Sequence, residues 1–141
     1  EGIVPKLHSA NDQDMLLINK PNKQLIVINE VMKKYEFHNA IEAIWKIIRH
    51  CNVYVDSNQP WTLFKNKNIS RLSSVLYILI NSIFKITILL QPFLPSSCAK
   101  ILLLFNKDKE IGLNDIKYDI KEGIFIKEPS IIFPKFDKDN K

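Results

Sequence analysis

At 141 residues, with 46% apolar and 25% charged side chains, the chain is sized for one folded domain with a core and is too apolar to be disordered. A net charge of +5 suits an acidic partner such as RNA, yet by itself leaves an anionic membrane or plain solubility open. The chain starts at Glu1 rather than Met, and no basic and apolar leader with a small-residue cleavage site opens it, so a piece of a longer protein is expected.

With 3 glycines and no sustained apolar/polar alternation, the first 105 residues read as helices joined by short polar connections, which makes the fold class all-α. Asn11-Asp12 is a capping pair, and Leu16, Leu17, Leu25, Ile28, Val31 and Met32 fit either one helix to Lys34 interrupted near Pro21 or two short ones. From Glu36 to Asn52 the residues Phe37, Ile41, Ile44, Ile48 and Cys51 recur every three or four positions. Ala40, Trp45 and Ile47 widen that apolar stripe, and Glu42, Lys46, Arg49 and His50 lie opposite.

Ser70 to Gln91 is apolar almost all round, so a membrane span has to be weighed. Asn81, Ser82 and Lys85 interrupt its middle, and a central lysine costs a few kcal/mol in a bilayer; a central core helix and no membrane are expected. Pro92 and Pro95 stop it, and Ser96-Ser97 supply caps for a last helix through Ala99, Ile101, Leu102 and Leu104 to Phe105. Asn106 to Lys141, with Gly112, Gly123, Pro129 and Pro134, reads as an extended tail laid over the helices.

Little points to catalysis. Cys51 and Cys98 are far apart, without CxxC spacing, and read as reduced thiols in a cytosolic protein. His8, His38 and His50 lack partners at ligand spacing, so neither a metal nor a general base is expected. No Gly-rich phosphate loop is present.

The stretch Asn52-Val53-Tyr54-Val55-Asp56-Ser57-Asn58-Gln59-Pro60-Trp61-Thr62-Leu63-Phe64-Lys65 resembles a signature of the anticodon-binding domain of bacterial-type methionyl-tRNA synthetases: Asn-x-Tyr followed by Pro-Trp and then Lys. Its flanks are similar too. Ala40 to Trp45 precedes it, and Val75-Leu76-Tyr77, then Leu89-Leu90-Gln91-Pro92-Phe93-Leu94-Pro95, follow. The tail resembles the family ending through Gly123, Pro129 and Ile132-Phe133-Pro134-Lys135. These features span roughly residues 25 to 137 in the family's order.

The resemblance implies a bundle of about four or five helices over residues 1–141 that binds the CAU anticodon of methionine-specific tRNA, initiator and elongator, in the cytoplasm. A separate catalytic domain activates methionine with ATP; its His-Ile-Gly-His and Lys-Met-Ser-Lys-Ser type signatures do not occur here, so no cofactor and no aminoacylation are expected of this chain alone. The family also reads the anticodon with an Asn and an Arg on an opening helix expected to lie before residue 1, which would leave an apolar groove exposed.

Trp61 matches the family residue that stacks on the first anticodon base, the way splayed single-stranded RNA is usually read. Without the motif it would read as an interhelical core residue, as Trp45 does. Pro60 aims Trp61 by fixing its own φ and biasing Gln59 away from helix. Asn52 and Tyr54 match family positions, but a helix-end Asn and a Tyr with one polar tip are commonly structural. Lys65, Lys67 and Arg71 flank Trp61 as candidate phosphate contacts, and Lys46 and Arg49 are candidates to extend the patch from the adjacent helix. Two other readings fit the residues: a helical protein-interaction module, and the equivalent domain of another class I synthetase.

Overall fold

A computed structural model describes residues 2–107, 111–129 and 131–133. Among these it contains five α-helices, α1 (Asp12–Lys33), α2 (Phe37–Asn58), α3 (Pro60–Lys65), α4 (Ile69–Leu90) and α5 (Pro95–Leu104), and a 3-10 turn at Leu113–Lys117. The all-α class holds. The only pairing of extended chain among the described residues is an antiparallel bridge between Ile3 and Phe125.

The capping box at Asn11 starts α1: Asn11 Oδ1 accepts the Asp14 N–H and Asp14 Oδ2 accepts the Asn11 N–H, both at 2.9 Å. The helix then runs unbroken through Pro21, which settles the choice between one helix and two. Buried Asp14, Leu17, Ile18, Pro21 and Ile28 repeat at helical spacing, so tertiary packing of this stripe offsets the hydrogen bond that proline cannot donate. α2 extends six residues beyond its expected end, carrying Asn52 and Tyr54 inside the helix. Its buried face is Ala40, Ala43, Ile44, Ile47, Cys51 and Tyr54, rotated from the stripe expected around Phe37 and Trp45. Trp45 is 50% exposed and is no core residue.

Helix ends close without glycine. Tyr35, Lys67 and Asn106 all take positive φ. Each follows a Schellman pattern: the Glu36 N–H donates to Val31, the Asn68 N–H to Leu63 and the Lys107 N–H to Leu102. At α5 the proline at the first helical position does the work assigned to Ser96-Ser97, which lie inside the helix after an N-cap at Leu94.

α4 is the hub and packs against every other helix and the 3-10 turn. It is long and apolar enough to cross a membrane, but most of it is buried by its neighbours. Its polar residues fasten the two non-helical ends to the bundle. Ser74 Oγ accepts the His8 and Ser9 N–H groups at 3.1 and 3.3 Å. Asn81 Oδ1 accepts the Ile120 N–H at 2.6 Å. Lys85, 2% exposed, pairs with Asp119 at 2.6 Å and donates to the Ile18 carbonyl at 3.3 Å. The tail therefore lies over the bundle as far as it is described, with Ile116 and Ile120 buried. Val4, also buried, exchanges backbone hydrogen bonds with Gly123 and Ile124. Pro134 and Lys135 of the expected tail motif lie outside the described residues.

Candidate nucleic-acid interface

The corner between α2 and α4 is built by two left-handed residues around a single helical turn. Gln59, with φ 45° and ψ 67°, ends α2 by donating its N–H to the Val55 carbonyl at 2.8 Å. The Gln59 carbonyl in turn accepts the N–H groups of Thr62 and Leu63, which starts α3, with Pro60 at its first position. Lys67 turns the chain again, and Asn68 caps α4 by accepting the Arg71 N–H at 3.3 Å.

This turn leaves Trp61 58% and Phe64 69% exposed, while Leu63 packs against the core. Residues three apart on a helix are neighbours, so the two rings share one side of α3. Lys65 and Lys67 are exposed beside them, and neither forms an ion pair with a described carboxylate. Phe64 is a platform candidate that the motif alone does not single out. Its signal in the sequence is its place three residues after Trp61.

Beneath the corner lies a buried polar cluster. Asp14 is 0% exposed. Arg71 meets it with two hydrogen bonds, 2.6 Å from Nη1 to Oδ2 and 2.9 Å from Nη2 to Oδ1. Tyr54 donates its hydroxyl to Asp14 Oδ1 at 2.5 Å, and Arg71 Nη2 also donates to Asn58 Oδ1 at 2.6 Å. Burial by itself would raise the Asp14 carboxyl, but the hydrogen bonds from Arg71, Tyr54 and Asn11 outweigh it and hold the group below its ordinary value. The Tyr54 phenol is pushed up, by burial first and by Asp14 next. The cluster ties the start of α1 to the end of α2 and the first turn of α4, and so fixes the platform from which Trp61 projects.

Two expected RNA contacts are corrected by this cluster. The Arg71 fork is filled by Asp14 and Asn58, and the Tyr54 hydroxyl points inward, so both support the corner rather than face a phosphate or base. Arg49 spends part of its charge on Glu42 at 2.6 Å. Lys46 and Arg49 stand roughly 14–18 Å along α2 from its C-terminal end, given a rise of 1.5 Å per residue, and do not join the Trp61 patch. Asn52 borders a different hollow, an apolar one of about 330 Å³ between α2, α4 and α5, lined by Ile48, Val55, Ile83 and Leu94 among others. Of the sequence candidates, the structure brings together Pro60, Trp61, Lys65 and Lys67.

Among the described residues no cluster of His, Cys, Asp and Glu is arranged to hold a metal. Burial pushes the Cys51 thiol up to about 11, and Cys98 is raised by the same cause.

A family model described as the anticodon binding domain of methionyl tRNA ligase matches residues 4–141. The chain belongs to this family. It is 34% identical over 140 residues to the methionine–tRNA ligase of Caldanaerobacter subterraneus subsp. tengcongensis, covering 97% of this chain and 22% of that one. To the Rickettsia felis methionine–tRNA ligase it is 39% identical over 142 residues, covering 99% of this chain and 27% of the relative. The crystal structure of free-state methionyl-tRNA synthetase from Mycobacterium tuberculosis superposes with a TM-score of 0.90 at 26% identity, over 96% of this chain and 28% of that one. As an anticodon-binding domain of this family, the chain spans about a quarter of the length of the ligases it matches.

Proposed function

We propose that this domain holds the CAU anticodon of methionine-specific tRNA, with Trp61 as the stacking platform for the first base. The observation that carries the reading is the exposure of Trp61 on a turn whose backbone is fixed by capping hydrogen bonds. A tryptophan 58% exposed sits on a turn clamped by Gln59, Pro60 and the buried Asp14–Arg71 pair, where a core tryptophan would be covered. An exposed indole on a fixed turn needs no uncovering before it takes up a base, and such a stack is worth about 1–3 kcal/mol. Phe64 offers a second apolar surface beside it. Lys65 and Lys67 supply sequence-independent attraction to the backbone.

On this reading the protein serves a methionine–tRNA ligase in the cytoplasm, on initiator and elongator tRNA alike. ATP and methionine are held by a catalytic domain outside these residues. The test is the binding of anticodon stem-loops that differ only in the first anticodon base, measured at two salt concentrations. A preference for cytosine that persists as salt rises is expected. Equal binding of all four bases would reduce the corner to a nonspecific basic surface.

A further inference from the structure

A second groove runs between α1 and α2 on the side of the bundle below the corner. Its volume is about 400 Å³, and its lining includes Leu16, Leu17 and Val53 as an apolar floor with Lys20, Lys23 and His50 on its rim. Among the described residues, no Asp or Glu lines it. Lys20 Nζ lies against the His50 ring within hydrogen-bonding distance of both ring nitrogens, 3.0 Å from Nε2. Burial depresses the ammonium, opposed in part by Cys51 and reinforced by the charge of nearby Lys46, and burial and Lys20 depress the imidazole. The rim thus carries the Lys20 and Lys23 ammonium groups beside an imidazole that can accept from Lys20, with no carboxylate among the described lining residues. The nearest buried carboxylate, Asp14, is turned inward and already satisfied by Arg71.

The position is equally informative. The groove begins at Ser57, beside the α2 end that carries the Trp61 corner, and reaches His50 seven residues back along the helix. Seven residues of α-helix rise roughly 10 Å, the span of about three stacked nucleotides. An RNA strand leaving a base stacked at Trp61 is therefore within reach of this rim.

We propose that the α1–α2 groove is a second RNA contact, in which Lys20, Lys23 and His50 hold a backbone phosphate of the tRNA anticodon arm. This rests on the reading that the domain binds tRNA. A phosphate suits the rim because its oxygens accept hydrogen bonds from the Lys20 and Lys23 ammonium groups and from an imidazole N–H together.

The experiment measures the affinity of the CAU stem-loop for the chain across a salt series. It compares the unaltered chain with the Lys20→Gln, Lys23→Gln double variant and with a charge-matched control, Lys100→Gln, Lys107→Gln, whose lysines are exposed on and after α5, away from the groove. Loss of one or two phosphate contacts predicts binding weakened about three- to tenfold and a salt slope shallower by about 1–2, with the preference for cytosine unchanged. The control should move neither. Lys20→Arg should retain affinity, and His50→Gln should weaken binding without altering the circular dichroism spectrum. Equal effects in the groove and control variants overturn the groove proposal alone. Failure of the unaltered chain to bind the stem-loop overturns the tRNA reading and the groove together.

Discussion

Arg71 and Asp14 meet through two parallel hydrogen bonds of 2.6 and 2.9 Å across a sequence separation of 57 residues. This contact ties the first turn of α1 to the first turn of α4, and through Asn58 to the end of α2. Asp14 has no solvent to fall back on. Replacing Arg71 by Met should therefore cost about 3–5 kcal/mol in urea unfolding, the range for stranding one partner of a buried pair. If Arg71 were instead a phosphate ligand, the variant would keep its stability and lose only RNA affinity.

The same contact gives the fold an acid limb. The Asp14 carboxyl is held below its ordinary value of 3.8, so its contribution is fully present above that value and is lost as pH falls through the lower folded value. Urea midpoints followed from pH 6 to pH 2 should fall more steeply for the unaltered chain than for Asp14→Asn. The Asn variant starts less stable because its amide cannot accept the Arg71 fork as a charge. Parallel acid limbs in the two proteins would contradict the assignment.

At the centre of α4, Lys85 is buried while its partner Asp119 is 39% exposed, which makes the pair asymmetric. Asp119→Ala leaves a buried ammonium with only the Ile18 carbonyl to serve it and should cost about 1–3 kcal/mol. Lys85→Met removes the charge and keeps most of the volume, so it should cost less than Asp119→Ala despite being the more deeply buried change. The reverse order of unfolding free energies would show that the lysine contributes mainly through its charge.

Both thiols are buried, and Cys51 is raised to about 11. At pH 8 only about one molecule in a thousand would carry the Cys51 thiolate, even with access. Labelling with an aromatic disulfide should be slow in the folded chain and fast in urea. Labelling of Cys51 within seconds under native conditions would contradict its burial.

The helical class and the order of the long helices were legible because apolar spacing in the first 105 residues follows the helical period and Pro92 stands just past the end of α4, whereas the prolines at 60 and 95 proved to be helix starts. Less legible was where the helices end. Tyr35, Lys67 and Asn106 occupy positions that usually call for glycine, and no local signal marks them. The same blindness hid the extension of α2, which moved Tyr54 from a loop to a buried helix face. Arg71 and Lys65 look alike as charges near Trp61. Only the fold shows that Asp14, far back in the chain, claims one and leaves the other to solvent. Asn81 and Lys85 stand out in the sequence as interruptions of an apolar helix, but their partners Ile120 and Asp119 belong to the tail and have no signature of their own.

The measurement closest to the centre of the proposed function is the affinity of the CAU stem-loop for Trp61→Ala, taken together with the unfolding free energy of the same variant. Trp61 is 58% exposed, so stability should change by less than about 1 kcal/mol. Binding should weaken by about one to two orders of magnitude, and the preference for cytosine at the first base should disappear. Unchanged affinity and preference, or a loss of stability on the scale of a core deletion, would place Trp61 in the scaffold and leave the anticodon to be read elsewhere.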